Sequence, residues 1–158
     1  MNTMLKMQYQ FRPMQIDDLD TVMMIEPLIY PYPWSRGNFS DSLNSGYSAW
    51  VLMSNETIIG YALVMMVLDE AHLLNLSIAK DFQKQGLGRL LLEYMIQIAK
   101  NHQAVNMFSE VRSSNISAIA LYENMGFNEM AIRRNYYPAD PKLFKSGRED
   151  AVLMGLAL

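Results

Sequence analysis

The chain has no cysteine. That removes disulfides, thiolate metal sites and a cysteine nucleophile from consideration. Histidine is nearly as scarce. Only His72 and His102 occur, too few for a histidine-rich metal site, and both read as structural. No apolar run is long enough to cross a bilayer, the longest being IIGYALVMMVL at 58–68. The opening MNTMLKMQYQFRPM lacks the apolar core of a secretory signal. Together these absences predict a cytoplasmic protein with no membrane partner. Excess positive charge is missing too. The formal net charge of −3 argues against direct nucleic-acid binding, which usually needs a basic face. Repeats, linkers and low-complexity tracts are also absent.

What is present is ordinary for a globular chain. With 158 residues, 51% hydrophobic and 18% charged, one domain over 1–158 is expected. A chain of this length buries a sizeable core. The fourteen methionines read as core filler.

Period and punctuation divide the chain. Residues 8–13 read as a short strand. QIDDLDTVMMIEPLI then reads as a helix whose acidic first turn complements the helix dipole. YPYPWSRGNFSDSL at 30–43 reads as an aromatic, proline-rich loop leading into a short helix. Strands follow at 48–54, 57–68 and 71–78, and their short connections predict an antiparallel meander. Gly60 inside the second marks a bulge or a close approach. In GRLLLEYMIQIAKNH, Leu91, Tyr94, Met95 and Ile98 share a helical face. A strand at 105–112 follows, so the crossover is parallel. SNISAIALYENMG at 114–126 is a helix capped by Ser114 or Asn115. Residues 127–137 are a strand, 138–150 a polar loop and 151–158 the last strand. The class is α+β with a mixed sheet.

QKQGLG at 83–88 sits between a strand and a helix. Gly86 and Gly88 leave the backbone bare, the first helical amides are unpaired, and Lys84 and Arg89 add positive charge. A pyrophosphate fits such a place; a plain tight turn fits it equally. Neither GxxxxGK[ST] nor GxGxxG is present, which disfavours a Walker loop and a Rossmann site. Glu110, near the end of an apolar strand, is either an acid–base group or a strand-end carboxylate paired with Arg112 or a lysine. Tyr122 lies about two helical turns from Asn115, on the same side, and is either a proton donor or a core tyrosine. Tyr32, Trp34, Tyr136 and Tyr137, with Asp69 and Glu70, either wall a groove or pack loops.

QKQGLG also matches the Q/R-x-x-G-x-G/A signature of the GNAT N-acetyltransferases. VLDEAHLLNLSI before it, EVRSSNISAIALYENMGF after it, then RRNYYP and GREDA, resemble the ribosomal-protein-alanine acetyltransferase branch in order and content. The likeness runs from Phe11 to Leu158. It implies the GNAT fold, a mixed and mostly antiparallel sheet of about seven strands flanked by about four helices. It implies that Lys84, Gln85, Gly86, Leu87, Gly88 and Arg89 hold the pyrophosphate of acetyl-CoA. Leu76, Ser77 and Ile78 would hold its acetyl group and pantetheine arm through the backbone, and Asn115 would touch the cofactor. Glu110 takes the place of the general base and Tyr122 that of the general acid. Trp34, Glu70, Tyr136 and Tyr137 would meet the substrate, and no metal is needed.

The implied substrate is the N-terminal alanine of small-subunit ribosomal protein eighteen. Its amine would attack directly in a ternary complex, on a monomer or weak dimer. Two other functions remain open from the residues: acetylation of a lysine side chain or small amine, and a non-catalytic acyl-CoA sensor. Intact Glu110 and Tyr122 speak against the sensor.

Overall fold

The computed structural model describes residues 8–158. Half of the N-terminal stretch examined above for a signal therefore lies outside the described residues. Strand β1 (Tyr9–Pro13) leads through a 3-10 turn (Ile16–Asp18) into α1 (Leu19–Ile29). The acidic turn expected to start that helix has a more specific use. Asp18 takes two 2.8 Å hydrogen bonds from Arg12 and a third of 2.8 Å from the Gln15 amide, tying the helix entry to β1. Helix α2 (Arg36–Asn44) opens on a reciprocal cap. Ser35 Oγ accepts from the Asn38 amide at 3.1 Å, and Asn38 Oδ1 accepts from the Ser35 amide at 2.9 Å.

Strands β2 (Ser48–Ser54), β3 (Thr57–Val67) and β4 (Glu70–Ile78) form the expected antiparallel meander. Helix α3 (Leu87–Asn101) crosses over to β5 (Asn106–Arg112), which is parallel to β4. Helix α4 (Ile116–Asn124), β6 (Asn128–Pro138) and β7 (Arg148–Ala157) complete the order. The sheet runs β1-β2-β3-β4-β5-β7-β6, and every pair except β4–β5 is antiparallel.

Neighbouring strand residues point to opposite faces, so two cores form. Leu52, Ala62, Leu73 and Met107 pack with Leu91 and Met95 of α3 and Tyr122 of α4. Val51, Tyr61 and Leu63 pack on the other face with Leu19 and Val22 of α1 and Phe39 of α2. Tyr94, at the edge of the α3 core stripe, stacks on Phe11 at 4.0 Å and covers β1.

Two expectations change. The last strand begins at Arg148 rather than 151, so the 138–150 loop shortens to 139–147. Arg148 and Glu149 read as loop because they are charged. In the fold Arg148 donates to the Asn135 and Tyr136 carbonyls at 2.9 and 2.8 Å, and Glu149 is buried beside Arg112.

Gly60 is a close approach. A Cβ there would lie 2.9 Å from the Ser77 carbonyl oxygen and 2.8 Å from Ile78 Cδ1.

Candidate active site

The β4–β5 ladder is short. It runs from Glu70↔Asn106 to Leu73↔Ser109 and stops. Beyond that point β4 continues to Ile78 and β5 to Arg112, unpaired with each other. A bulge in β4 coincides with the parting. Val64 pairs with Leu73 and Leu63 with Asn75, leaving Leu74 as the extra residue. The extra residue reverses which side chains face which layer. Ala71 and Leu73 pack on the α3 side before it, and Leu76 and Ile78 do so after it. Asn75 and Ser77 therefore turn towards α1.

The backbone beyond the bulge is equally ordered. Ala79 N–H donates to Ile59 at 2.8 Å, so residues 77 and 79 turn their backbone to β3. By alternation, Leu76 and Ile78 direct theirs into the splay. Two side chains occupy their carbonyls. Tyr30 OH lies 3.1 Å from Leu76 O, and Gln83 Nε2 donates to Ile78 O at 2.9 Å.

A cavity of about 370 Å³ fills the splay. Leu76, Glu110, Asn115, Tyr122, Trp34 and Tyr137 line it. A second cavity of about 490 Å³ lies on the sheet face away from α3 and α4, lined by Glu70, His72, Phe108, Arg133, Tyr136 and Tyr137. Glu110 belongs to both. Its strand alternates, with Met107, Ser109 and Val111 buried towards the helices, so Glu110 projects to the opposite face. Tyr122 rises from α4 on the helix side. The two groups thus meet the opening from opposite faces of the sheet.

Each group has a distinct setting. Glu110 is half-buried and 3.3 Å from Arg133 Nε, not paired with Arg112 as one of the sequence alternatives held. Arg112 instead donates to Glu149 at 2.9 Å and to the Pro138 carbonyl at 2.7 Å, sandwiched between the rings of Tyr32 (4.9 Å) and Tyr137 (4.6 Å). Burial pushes the Tyr122 phenol above its ordinary value, and the neighbouring Ser109 hydroxyl works the other way. Burial, and then the charge of Glu110, push Tyr137 up to about 12. Burial likewise takes Tyr30 up to about 12.

Gly86 caps α3 in the left-handed region, at φ +82°, with open space where a Cβ would stand. Its carbonyl accepts the first helical bond, from Leu90 at 3.1 Å. The amides of Leu87, Gly88 and Arg89 therefore have no partner in the helix, and the bare glycine leaves their approach clear. Such an end suits the phosphates of acetyl-CoA, and the splay suits its pantetheine arm. Arg89 spends part of its charge on Glu93 at 3.2 Å.

Not every expected residue enters a cavity. The Ser77 side chain turns to Tyr30 and Asn75 and its backbone to β3, so neither enters the splay; Ile78 packs its side chain in the α3 core, and only its backbone faces the splay. Lys84, Gln85 and Leu87 lie at the α3 entry and line neither cavity. Asp69 lines neither as well; its carbonyl accepts from Val105 at 2.7 Å. Glu70 is held by His72 at 3.0 Å. His102 caps α3, its Nδ1 2.8 Å from the Ile98 carbonyl. His72, read as structural, lines the second cavity.

Several residues of the site had no reading in the sequence: Glu26, Tyr30, Asn75 and Arg133. Glu26 had a signal, for it falls with Leu19 and Val22 on the buried stripe of α1. Among the described residues no group of three His, Cys, Asp or Glu is placed to hold a metal ion.

Comparison with known proteins agrees with this geometry. Residues 19–127 match the model of the Acetyltransferase (GNAT) family. The chain is 41% identical over 145 residues to the ribosomal protein bS18-alanine N-acetyltransferase of Escherichia coli K12, covering 92% of this chain and 95% of the relative. Its counterpart in Haemophilus influenzae is 40% identical over 141 residues, covering 89% and 93%. The crystal structure of the Escherichia coli ribosomal-protein-S18-alanine N-acetyltransferase superposes with a TM-score of 0.85 at 40% identity, covering 94% of this chain and 93% of that one. With its splayed parallel pair, its bulged β4 and its glycine-capped crossover helix, the chain belongs to the GNAT family and is an acetyl-CoA-dependent N-acetyltransferase.

Proposed function

We propose that this enzyme acetylates the α-amine of a ribosomal protein that begins with alanine, as the bS18-alanine N-acetyltransferases that it resembles are named for doing. One observation carries the scheme. Glu110 stands on the wall common to both cavities, and Tyr122 faces the same opening from the other side of the sheet. The peptide N-terminus enters through the second cavity, between Glu70 and the Tyr136–Tyr137 pair, with Trp34 at the far side of the opening. Acetyl-CoA lies along the helix face, its pyrophosphate at the start of α3 and its thioester between Leu76 and Tyr122. Asn115 borders the same space.

The chemistry then balances. Glu110 takes the proton of the α-ammonium, whose reference pKa of about 7.7–8.0 needs only a modest base. A lysine amine, near ~10.4, would ask more of it. The free amine attacks the thioester carbon, and a C–N bond forms. The N–H of Leu76, directed into the splay, stabilises the tetrahedral oxyanion. The C–S bond breaks as Tyr122 gives its proton to the departing thiolate. The nitrogen gives its second proton to Glu110, which has passed the first to solvent, and a proton from solvent restores Tyr122; the products are the N-acetylated peptide and CoA thiol, with a net release of one proton. The described residues include no helix long and apolar enough to cross a membrane.

CoA release tests the proposal, using a peptide that begins with alanine against the same peptide with its α-amine blocked and a lysine left free. Turnover is expected only with the free α-amine. Glu110→Gln should then slow kcat by a factor on the order of 10²–10⁴. Turnover of the blocked peptide, or a Glu110→Gln enzyme as fast as the parent, would defeat the scheme.

A further inference from the structure

One buried carboxylate has no part in this chemistry. Glu26 is 1% exposed and borders the splay cavity. Three donors converge on it. Tyr61 OH reaches Oε1 at 2.6 Å, Asn75 Nδ2 reaches the same oxygen at 3.2 Å, and the Trp34 amide reaches Oε2 at 2.9 Å. They come from three places: the β3 floor, the bulged part of β4, and the loop after α1. Asn75 extends the link. Its Oδ1 accepts from Ser77 Oγ at 2.6 Å, and Ser77 lies 2.7 Å from the Tyr30 hydroxyl, which borders Leu76 O. Glu26 thus joins the wall carrying Trp34 to the wall carrying the free edge of β4.

We propose that Glu26 is a positioning residue for the acceptor. By holding the Trp34 loop at a fixed span from β4, it sets the width of the gap through which the amine reaches the thioester. This inference rests on the acceptor entering as proposed above. The group has to be a carboxylate, because all three partners donate. A glutamine offers one acceptor oxygen and an NH₂. With its oxygen towards Tyr61 and Asn75, its NH₂ meets the Trp34 N–H, donor against donor. Volume and core packing are kept, and the loop is released.

The test is steady-state kinetics of Glu26→Gln with both substrates, beside Tyr61→Phe, which removes a donor from the same carboxylate but leaves its bonds to Trp34 and Asn75 in place. For Glu26→Gln, kcat/KM for the free-amine peptide should fall roughly 10–100-fold, the scale of a lost hydrogen bond to a charged group. KM for acetyl-CoA should stay within about twofold. Tyr61→Phe should lose melting temperature while changing neither KM more than about threefold. Peptide kinetics of Glu26→Gln within twofold of the parent would overturn the inference. So would a parallel rise in both KM values, or an equal loss in Tyr61→Phe, either of which marks general loosening of the core. Should Glu26→Gln fail to fold, Asn75→Ala keeps the carboxylate and its bond to Trp34 but cuts the link to β4. The same split between peptide and acetyl-CoA is expected there, and its absence overturns the inference. An unsubstituted enzyme that ignores the free-amine peptide would overturn the functional proposal and this inference together; an active parent with an unaffected Glu26→Gln overturns this inference alone.

Discussion

Tyr122→Phe separates chemistry from packing cleanly at this site. The ring is 6% exposed and packs at 5.2 Å against Phe127, and phenylalanine keeps both features. The hydroxyl that is lost opens on the splay cavity, where its polar neighbour Ser109 also lies. What is lost is at most one neutral hydrogen bond, that with the buried Ser109 hydroxyl, so the stability cost should stay near or below about 1 kcal/mol. In a chain of this size that moves the melting temperature by no more than about 4 °C. The catalytic cost is of another order. Without its acid the thiolate must leave unprotonated or borrow a proton from water, and a positioned acid is worth about 10²–10⁴ in rate. At 1.36 kcal/mol per decade that is roughly 2.7–5.4 kcal/mol of barrier. The pH dependence follows from the same burial. A donor must be protonated, and Tyr122 is held above the ordinary phenol range, so its deprotonation should not depress kcat between about pH 7 and 9. Single-turnover and steady-state CoA release, a thermal melt and a pH profile of the parent supply the readings. Turnover of Tyr122→Phe within threefold of the parent would refute the role. A melting temperature lowered by many degrees would refute the packing argument, and a basic limb of kcat that traces to Tyr122 below pH 9 would refute the electrostatic one.

Three further outcomes are expected. Gly60→Ala would put a Cβ 2.9 Å from the Ser77 carbonyl, a backbone atom that cannot swing aside. The variant should lose roughly 1–3 kcal/mol in chemical denaturation and bind acetyl-CoA more weakly, because the displaced strand is the edge carrying Leu76 and Ile78; an unchanged midpoint would contradict this. Arg112→Leu should cost about 3 kcal/mol in the same assay, since it strands Glu149, 4% exposed, without its cation. Burial works to raise Glu149, but hydrogen bonds from Arg112 and Ser114 outweigh it and hold the carboxyl below its usual range. Its contribution to stability is therefore full above the unfolded value of about 4.3 and is lost as pH falls through the lower folded value. Glu149→Gln should flatten that acid limb, and a melting profile of the variant with the parent's full acid slope would count against the ion pair.

Local signals carried the meander, the crossover and the helix that starts at the glycine pair. The β2 and β3 runs are apolar stretches of strand length joined through Asn55 and Glu56, so their pairing needed no distant information. Tyr122 lies seven positions after Asn115, about two helical turns, and both line the splay cavity. The bulge also left a trace, one that is easy to pass over. In AHLLNLSI the apolar positions run 71 and 73, then 74, 76 and 78, and the doubled leucine is where the parity breaks. Other features had no local signal. The last strand inserts between β5 and β6, a choice made by long-range burial that nothing in its own sequence announces. Arg148 and Glu149 looked like loop because their partners, Asn135, Tyr136 and Arg112, are distant in sequence. Glu26 shows in the sequence only as an acid on the apolar stripe of α1; its role becomes legible with its three donors.

The free edge of β4 has a chemical sign. An ordinary unpaired strand offers donors and acceptors in alternation and so invites any other strand to add to it. Here Tyr30 and Gln83 already cover the carbonyls of Leu76 and Ile78, so what this edge presents is mainly N–H. A foreign β-strand would find its own N–H groups facing side chains instead of oxygens, and could not zip along it. A molecule whose carbonyl oxygens lead meets the opposite situation. The side chains that make the cleft unattractive to another polypeptide are the same ones that make it receptive to a thioester.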